Sequence, residues 1–169
     1  MSAIDISTPC PHWQERHPMI EETVAMAVRA ALANQGLEGE DKDNGADNAY
    51  EISIVLADDA FVRDLNRQYR NIDKPTNVLS FPAEDEDAQG PCLLGDVVLA
   101  YETIAREALA NGTPMLDHVS HLIVHGALHL LGFDHEEEEA AEVMEARETA
   151  ILARLGVKDP YHREVKPGD

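Results

Sequence analysis

The sequence is short of cysteine, of positive charge and of long apolar runs, and each shortage removes a class of explanation. Two cysteines, Cys10 and Cys92, occur in 169 residues. They make neither a disulfide framework nor a C-x-x-C motif, and a reduced, cytoplasmic setting is the expectation. Lys and Arg number 13 against 33 Asp and Glu, a net charge of −20. A surface of that sign repels nucleic acid and membranes at long range, so a polyanionic substrate must be held by local cations or a metal. No apolar run reaches about 18 residues, which excludes a transmembrane helix. The start, Met1-Ser2-Ala3-Ile4-Asp5, lacks the basic-then-apolar pattern of a signal peptide. No internal repeat is present.

What is there suits one domain over residues 1–169 with a full core: hydrophobic residues make up 44% and charged residues 27%, both ordinary for a globular protein. Ile4–Ser7 reads as a short strand. His17 to about Asn34 reads as a helix, because Ile20, Val24, Ala27, Val28 and Ala31 fall three and four apart. Gly36 to Ala49 is a polar loop with five acids and one Lys. Glu51–Leu56 alternates as a strand does. Asp58 or Asp59 can cap a helix to about Tyr69, with Phe61, Leu65 and Tyr69 on one side. Val78–Phe81 reads as a strand ended by Pro82, Ala83–Gly90 as a second acidic loop, and Leu93–Ala100 as a strand broken at Gly95-Asp96. Helices are predicted near Tyr101–Ala110, Met115–Leu131 and Glu136–Leu155, with an irregular tail from Asp159. Strands early and helices late point to an α+β fold, a small mixed sheet of about four strands covered by helices.

The densest chemical signal lies between His118 and His135, where five of the eight histidines fall. His121, His125 and His129 project on nearly one helix face. Gly132 is a natural helix stop, after which the chain can bring His135 back towards the helix. Two imidazoles at i and i+4 plus a third after a turn supply the convergent ligands that zinc needs at about 2.0–2.1 Å, and three ligands leave a position open, the mark of a catalytic site. His118 and His121 are read equally well as packing residues. The spacing of His125, His129 and His135 with Gly132 also matches the metzincin pattern, but Gly126 stands where that pattern has its Glu base. A peptidase would lack its proton acceptor. Asp134 and Glu137 fit an acidic capping box opening the last helix, and Asp134 could also hold a ligand imidazole.

Arg63, Arg67, Arg70 and Lys74, beside only Asp64 and Asp73, make a local positive excess. They lead into Asp73-Lys74-Pro75-Thr76-Asn77-Val78-Leu79-Ser80-Phe81-Pro82. Together with Leu65-Asn66-Arg67-Gln68-Tyr69-Arg70, Leu94-Gly95-Asp96 and His125-Gly126-Ala127-Leu128-His129-Leu130-Leu131-Gly132-Phe133-Asp134-His135, this segment resembles the YbeY family, in the same order from about Glu51 to Tyr161. The first 50 residues match it only loosely.

The resemblance implies a bacterial, metal-dependent, single-strand-specific endoribonuclease. It implies action in ribosomal RNA maturation at the 16S 3′ end and in ribosome quality control. It assigns one Zn²⁺ to His125, His129 and His135 and an important arginine to Arg70. It implies partners in single-stranded rRNA precursor and the small ribosomal subunit with its assembly proteins, not in DNA or membrane. By its chemistry Arg70 can clamp a phosphate with a bidentate pair. Ser80 can donate to phosphate or sugar, or be structural. Asp96 is open between base and turn former, and the attacking group between water and the 2′-OH. A zinc hydrolase of another substrate and a non-enzymatic assembly factor with structural zinc are the alternatives.

Overall fold

Ile52, Ile54 and Leu56 alternate with Glu51, Ser53 and Val55, and a period of two places the first set on one face of a strand. In the computed structural model, which describes residues 3–33, 50–83, 92–133 and 138–158, they lie in β2 (Tyr50–Ala57) and are buried. On one side β2 pairs in parallel with β1 (Ala3–Ser7). On the other it pairs in parallel with β4 (Cys92–Ala100), whose far edge takes β3 (Val78–Pro82) antiparallel. The order is β1-β2-β4-β3, so β3 is an edge strand. The fold is α+β, with a four-stranded mixed sheet and six helices among the described residues.

The break expected at Gly95-Asp96 is instead a bulge inside one continuous strand. Opposite Glu51 and Ile52 the partner steps from Leu93 to Gly95, leaving Leu94 as the extra residue. Gly95 has φ +136°, and a Cβ there would lie 2.2 Å from the Phe81 carbonyl oxygen. Only glycine lets the bulged strand pass so close to β3.

The helix expected from His17 begins at Ile20 as α2 (Ile20–Ala33), and a short helix not expected from the sequence, α1 (His12–Arg16), precedes it. Pro18 fits the break, since it has no N–H to continue a ladder. The predicted apolar face of α2 is buried, with Leu32 added. Helices α4 (Tyr101–Asn111), α5 (Met115–Leu130) and α6 (Glu138–Arg154) follow. With α2, they pack on the face that carries Ile52, Ile54, Leu56, Val97 and Leu99, forming the main core. Each fully buried Ile or Leu contributes about 1.5–3 kcal/mol, and α5 supplies Leu122, Ile123 and Leu128.

Helix α3 (Asp59–Arg70) lies on the opposite face, over a small second cluster of Ala57, Val62, Leu79, Val98 and Ala100. Asp58 caps it, accepting from the Phe61 N–H at 2.9 Å. The buried stripe of α3 differs from the predicted Phe61, Leu65 and Tyr69. Val62 and Asn66 are buried, Leu65 is half-buried, and Phe61 and Tyr69 are 39% and 63% exposed. The cluster beneath α3 is too small to cover large rings, so the helix turns its Val and Leu inward. The expected loops at 36–49 and 84–90, the Asp134–Glu137 capping box and the tail from 159 lie outside the described residues.

Candidate functional site

Helix α5 carries His118, His121, His125 and His129 at spacings of three and four, so successive rings follow one another along one flank, tilted or edge-on to each other. The ring centroids of His125 and His129 are 4.7 Å apart, and those of His121 and His125 are 6.3 Å apart. All four are half-buried, with one edge in the protein and one towards its surface. The helix ends in a Schellman closure: the Gly132 N–H donates to the His129 carbonyl and the Phe133 N–H to the Leu128 carbonyl, each at 3.0 Å. Gly132 takes the positive φ, +108°, that this turn requires. Phe133 then packs against the main core, with the Arg147 guanidinium 5.3 Å above its ring. The chain is thus turned and anchored two residues before His135, which itself lies outside the described residues.

The surprise at this flank is Glu148, on α6. It interrupts a stripe of Met144, Ile151 and Leu152 and is fully buried. Its Oε2 lies 2.5 Å from His125 Nδ1, and its Oε1 lies 3.4 Å from His121 Nε2. Possible ligand atoms of His121, His125 and Glu148 all fall within 4.8 Å of one another, so these three could hold a metal ion. The signal for Glu148 was present in the sequence as an acid at an apolar helical position, but the partner it serves is 23 residues away. Further up α5, His118 Nε2 lies 2.8 Å from Glu107 Oε1, which also accepts from Asn77 Nδ2 at 3.0 Å. That contact ties His118 to the loop before β3 and supports its packing role.

Gly126 faces the sheet. A Cβ there would come within 3.0–3.2 Å of Val97 and the Ser80 hydroxyl. The position that holds a Glu in metzincins is therefore closed by β3 and β4. The Ser80 hydroxyl is 3.5 Å from the Gly126 carbonyl, to which it donates. The Ser80 carbonyl accepts from Arg70 at 3.4 Å, and the Arg70 guanidinium sits 5.7 Å from the Phe81 ring centre. Contacts thus run from Arg70 to Ser80 to Gly126, the neighbour of His125.

The other cations of α3 are committed elsewhere. Arg63 donates to Asp73 at 2.8 Å, and Arg67 pairs with Asp64 at 3.1 Å and with Asp73 at 3.7 Å. The Arg63 bond holds the Asp73 carboxyl below its usual range. Arg70 has no carboxylate partner among the described residues. Asn66, buried under α3, donates to the Lys74 carbonyl at 2.8 Å and fixes the loop that follows. Asp96 lies on the other side of the sheet, in an open hollow of about 480 Å³ with Asp5, Ser53 and Pro82. The structure does not bring it to the histidines.

A family model described as Endoribonuclease YbeY matches residues 16–156. The chain belongs to the YbeY endoribonuclease family. It is 51% identical over 164 residues to the Endoribonuclease YbeY of Paramagnetospirillum magneticum, covering 94% of each chain. It is 52% identical over 155 residues to that of Rhodospirillum rubrum, covering 88% of this chain and 76% of the relative. The solution structure of TM1509 from Thermotoga maritima superimposes with a TM-score of 0.55 at 20% identity, over 95% of this chain and 99% of that one; that likeness concerns the fold. Within the YbeY family frame, His125, His129, Ser80 and Arg70 are the described residues the sequence singled out, and Glu148 is the addition. No helix among the described residues is long and apolar enough to cross a membrane.

Proposed function

We propose that this YbeY-family chain is a metal-dependent endoribonuclease that cuts single-stranded RNA. Its substrate is ribosomal RNA precursor at the 16S 3′ end, and it works in the cytoplasm on the small subunit with assembly proteins, including in ribosome quality control. The observation that supports this is a relay of contacts from a guanidinium with no carboxylate partner among the described residues towards the histidine helix: Arg70 touches the Ser80 carbonyl, and the Ser80 hydroxyl touches the residue after His125.

The donor set suits a zinc ion. His125 has Nδ1 engaged by Glu148, which leaves Nε2 as its ligand atom, and a ligand imidazole with its other nitrogen on a carboxylate is the common arrangement. His125, His129 and His135 would hold the ion. When bound, zinc supplies Lewis-acid polarisation of a phosphoryl oxygen. Arg70 presents a planar fork that matches two phosphate oxygens and stabilises charge gained in the transition state. Phe81 beneath the guanidinium and the Ser80 carbonyl beside it fix its direction. Ser80 steadies α5 against β3 through Gly126 and offers its hydroxyl at the same crossing. With a net charge of −20, the chain gains little from long-range attraction to RNA, so delivery through ribosomal partners fits better than free encounter. The closed position at Gly126 argues against peptide hydrolysis.

The test is cleavage of a single-stranded RNA oligonucleotide and of its duplex by the zinc-loaded chain, beside Arg70→Ala and His129→Ala. Cleavage of the single strand alone, lost in both variants, is the expected result. An inert loaded parent chain, or Arg70→Ala cutting at the parent rate, overturns the reading.

A further inference from the structure

We propose that Glu148 is a positioning residue. Its buried carboxylate holds His125 as the Nδ1–H tautomer with Nε2 facing the metal, and His121 anchors the same carboxylate instead of acting as a ligand. This rests on reading His125 as a metal ligand.

Three observations carry it. Glu148 is 0% exposed, so it cannot touch a substrate. It occupies a stripe position between Met144 and Ile151–Leu152, where an apolar side chain would pack with no desolvation cost; a buried carboxylate persists only where donors satisfy it. Both its oxygens are engaged, Oε2 by His125 Nδ1 and Oε1 by His121 Nε2.

Distance then separates positioning from ligation. Two donors on one tetrahedral zinc, each about 2.0–2.1 Å from it, lie about 3.4 Å apart. The His125 Nδ1 to Glu148 Oε2 separation is 2.5 Å, a hydrogen bond and too short for two ligands of one ion; the His121 Nε2 to Glu148 Oε1 separation of 3.4 Å fits two ligands as well as a long contact, and the His121→Ala variant decides between them. A carboxylate bonded to Nδ1 selects the tautomer, fixes the plane of the ring and raises the donor strength of Nε2. Because α6 presents that carboxylate from inside the main core, the ring of His125 is set by tertiary packing before any ion arrives. His129, one turn on, has its ring 4.7 Å from that of His125, on the side away from His121, and is the natural co-ligand.

The experiment uses the full chain, zinc alone as the probe, and the variants Glu148→Gln, Glu148→Ala, His121→Ala and His129→Ala. Imidazole nitrogen shifts of His125 are measured by NMR in the metal-free protein. Zinc affinity and stoichiometry are measured by competition with a chromophoric chelator. The parent should show His125 as the Nδ1–H tautomer, and Glu148→Ala should show a mixture. Glu148→Ala should bind one zinc about 10- to 100-fold more weakly, with Glu148→Gln between it and the parent. His121→Ala should bind within a few-fold of the parent, and His129→Ala should lose the ion. If Glu148→Ala does not fold, the parent tautomer, Glu148→Gln and His121→Ala still decide.

Loss of zinc in His121→Ala and in the Glu148 variants with retention in His129→Ala would make the His121–His125–Glu148 cluster the metal site and overturn the proposal. So would a parent His125 protonated at Nε2, or unchanged zinc affinity in the folded Glu148 variants. None of these readouts involves RNA. An inert loaded enzyme would therefore remove the proposed activity and leave this inference standing.

Discussion

Glu148 and Arg70 are two polar side chains held in opposite ways. Glu148 sits in the main core between α5 and α6, fully buried, with both oxygens committed. Arg70 stands exposed at the end of α3, touching an aromatic ring and a backbone carbonyl. In the first region burial supplies precision, because a misplaced carboxylate there would lose its donors in a dry interior. In the second, exposed ion pairs are each worth only about 0–1 kcal/mol and cannot impose geometry by strength. They work by allocation: Asp73 is taken by Arg63 and Arg67, so it does not neutralise Arg70. An acidic protein can thus keep one cation available by spending its neighbours.

The sharpest way to break the comparison is at the metal end. His129→Ala should remove most bound zinc while the domain stays folded, since the core rests on Leu122, Ile123, Leu128 and the sheet; unchanged metal by elemental analysis would refute the site. Next comes Arg70→Ala, expected to slow single-turnover cleavage of single-stranded RNA about 100- to 1,000-fold, or about 2.7–4 kcal/mol. Its melting temperature and zinc content should stay at the parent values. Arg70→Lys should recover only part, because an ammonium lacks the planar fork. Cleavage that falls only in step with stability would make Arg70 a structural residue.

A third test strikes the crossing that joins the two regions. Gly126→Ala gains about 1 kcal/mol of helix propensity but pushes a methyl within 3.0–3.2 Å of Val97 and Ser80, and such overpacking costs about 1–3 kcal/mol. Net destabilisation of up to about 2 kcal/mol in urea unfolding is expected; a stabilised variant would show the crossing to be loose. Asp58→Ala removes the cap of α3 and should cost about 1 kcal/mol, with no effect on zinc. That outcome would separate the two regions energetically.

The smallest effect is the pH dependence of Asp73. Its carboxyl is held below the ordinary value of 3.8 by Arg63. The unfolded chain therefore takes up the proton first as pH falls, and the stability from this pair is present above that value and lost below it. Asp73→Asn should flatten this part of the acid limb slightly in pH-resolved thermal melts, while the rest of the acid unfolding remains.

Much of this was legible in the sequence, because much of it is local. The i, i+4 spacing of His125 and His129, the Gly132 stop, the cap at Asp58 and the alternation in β2 depend on neighbours within a turn or a strand pair. The family motifs marked Arg70 and Ser80 as well. Misreadings came where the environment decides. The stripe of Phe61, Leu65 and Tyr69 has helical spacing as good as that of Val62 and Leu65, and only the small cluster under α3 selects the latter. Gly95 reads as a break, yet a register shift against β2 absorbs it.

Composition and short-range pattern thus determined an acidic α+β chain with a histidine helix, a histidine after its turn and a basic segment before a short strand. Tertiary structure alone decided that Glu148 reaches His125 and His121 from another helix, that Gly126 is closed by Val97 and Ser80, and that Asp73 is spent on Arg63 and Arg67 while Arg70 is not. The physical reason is range. Helical spacing is enforced by backbone bonds four residues apart, whereas a buried carboxylate finds a donor 23 residues away only when their two helices are packed together on one sheet.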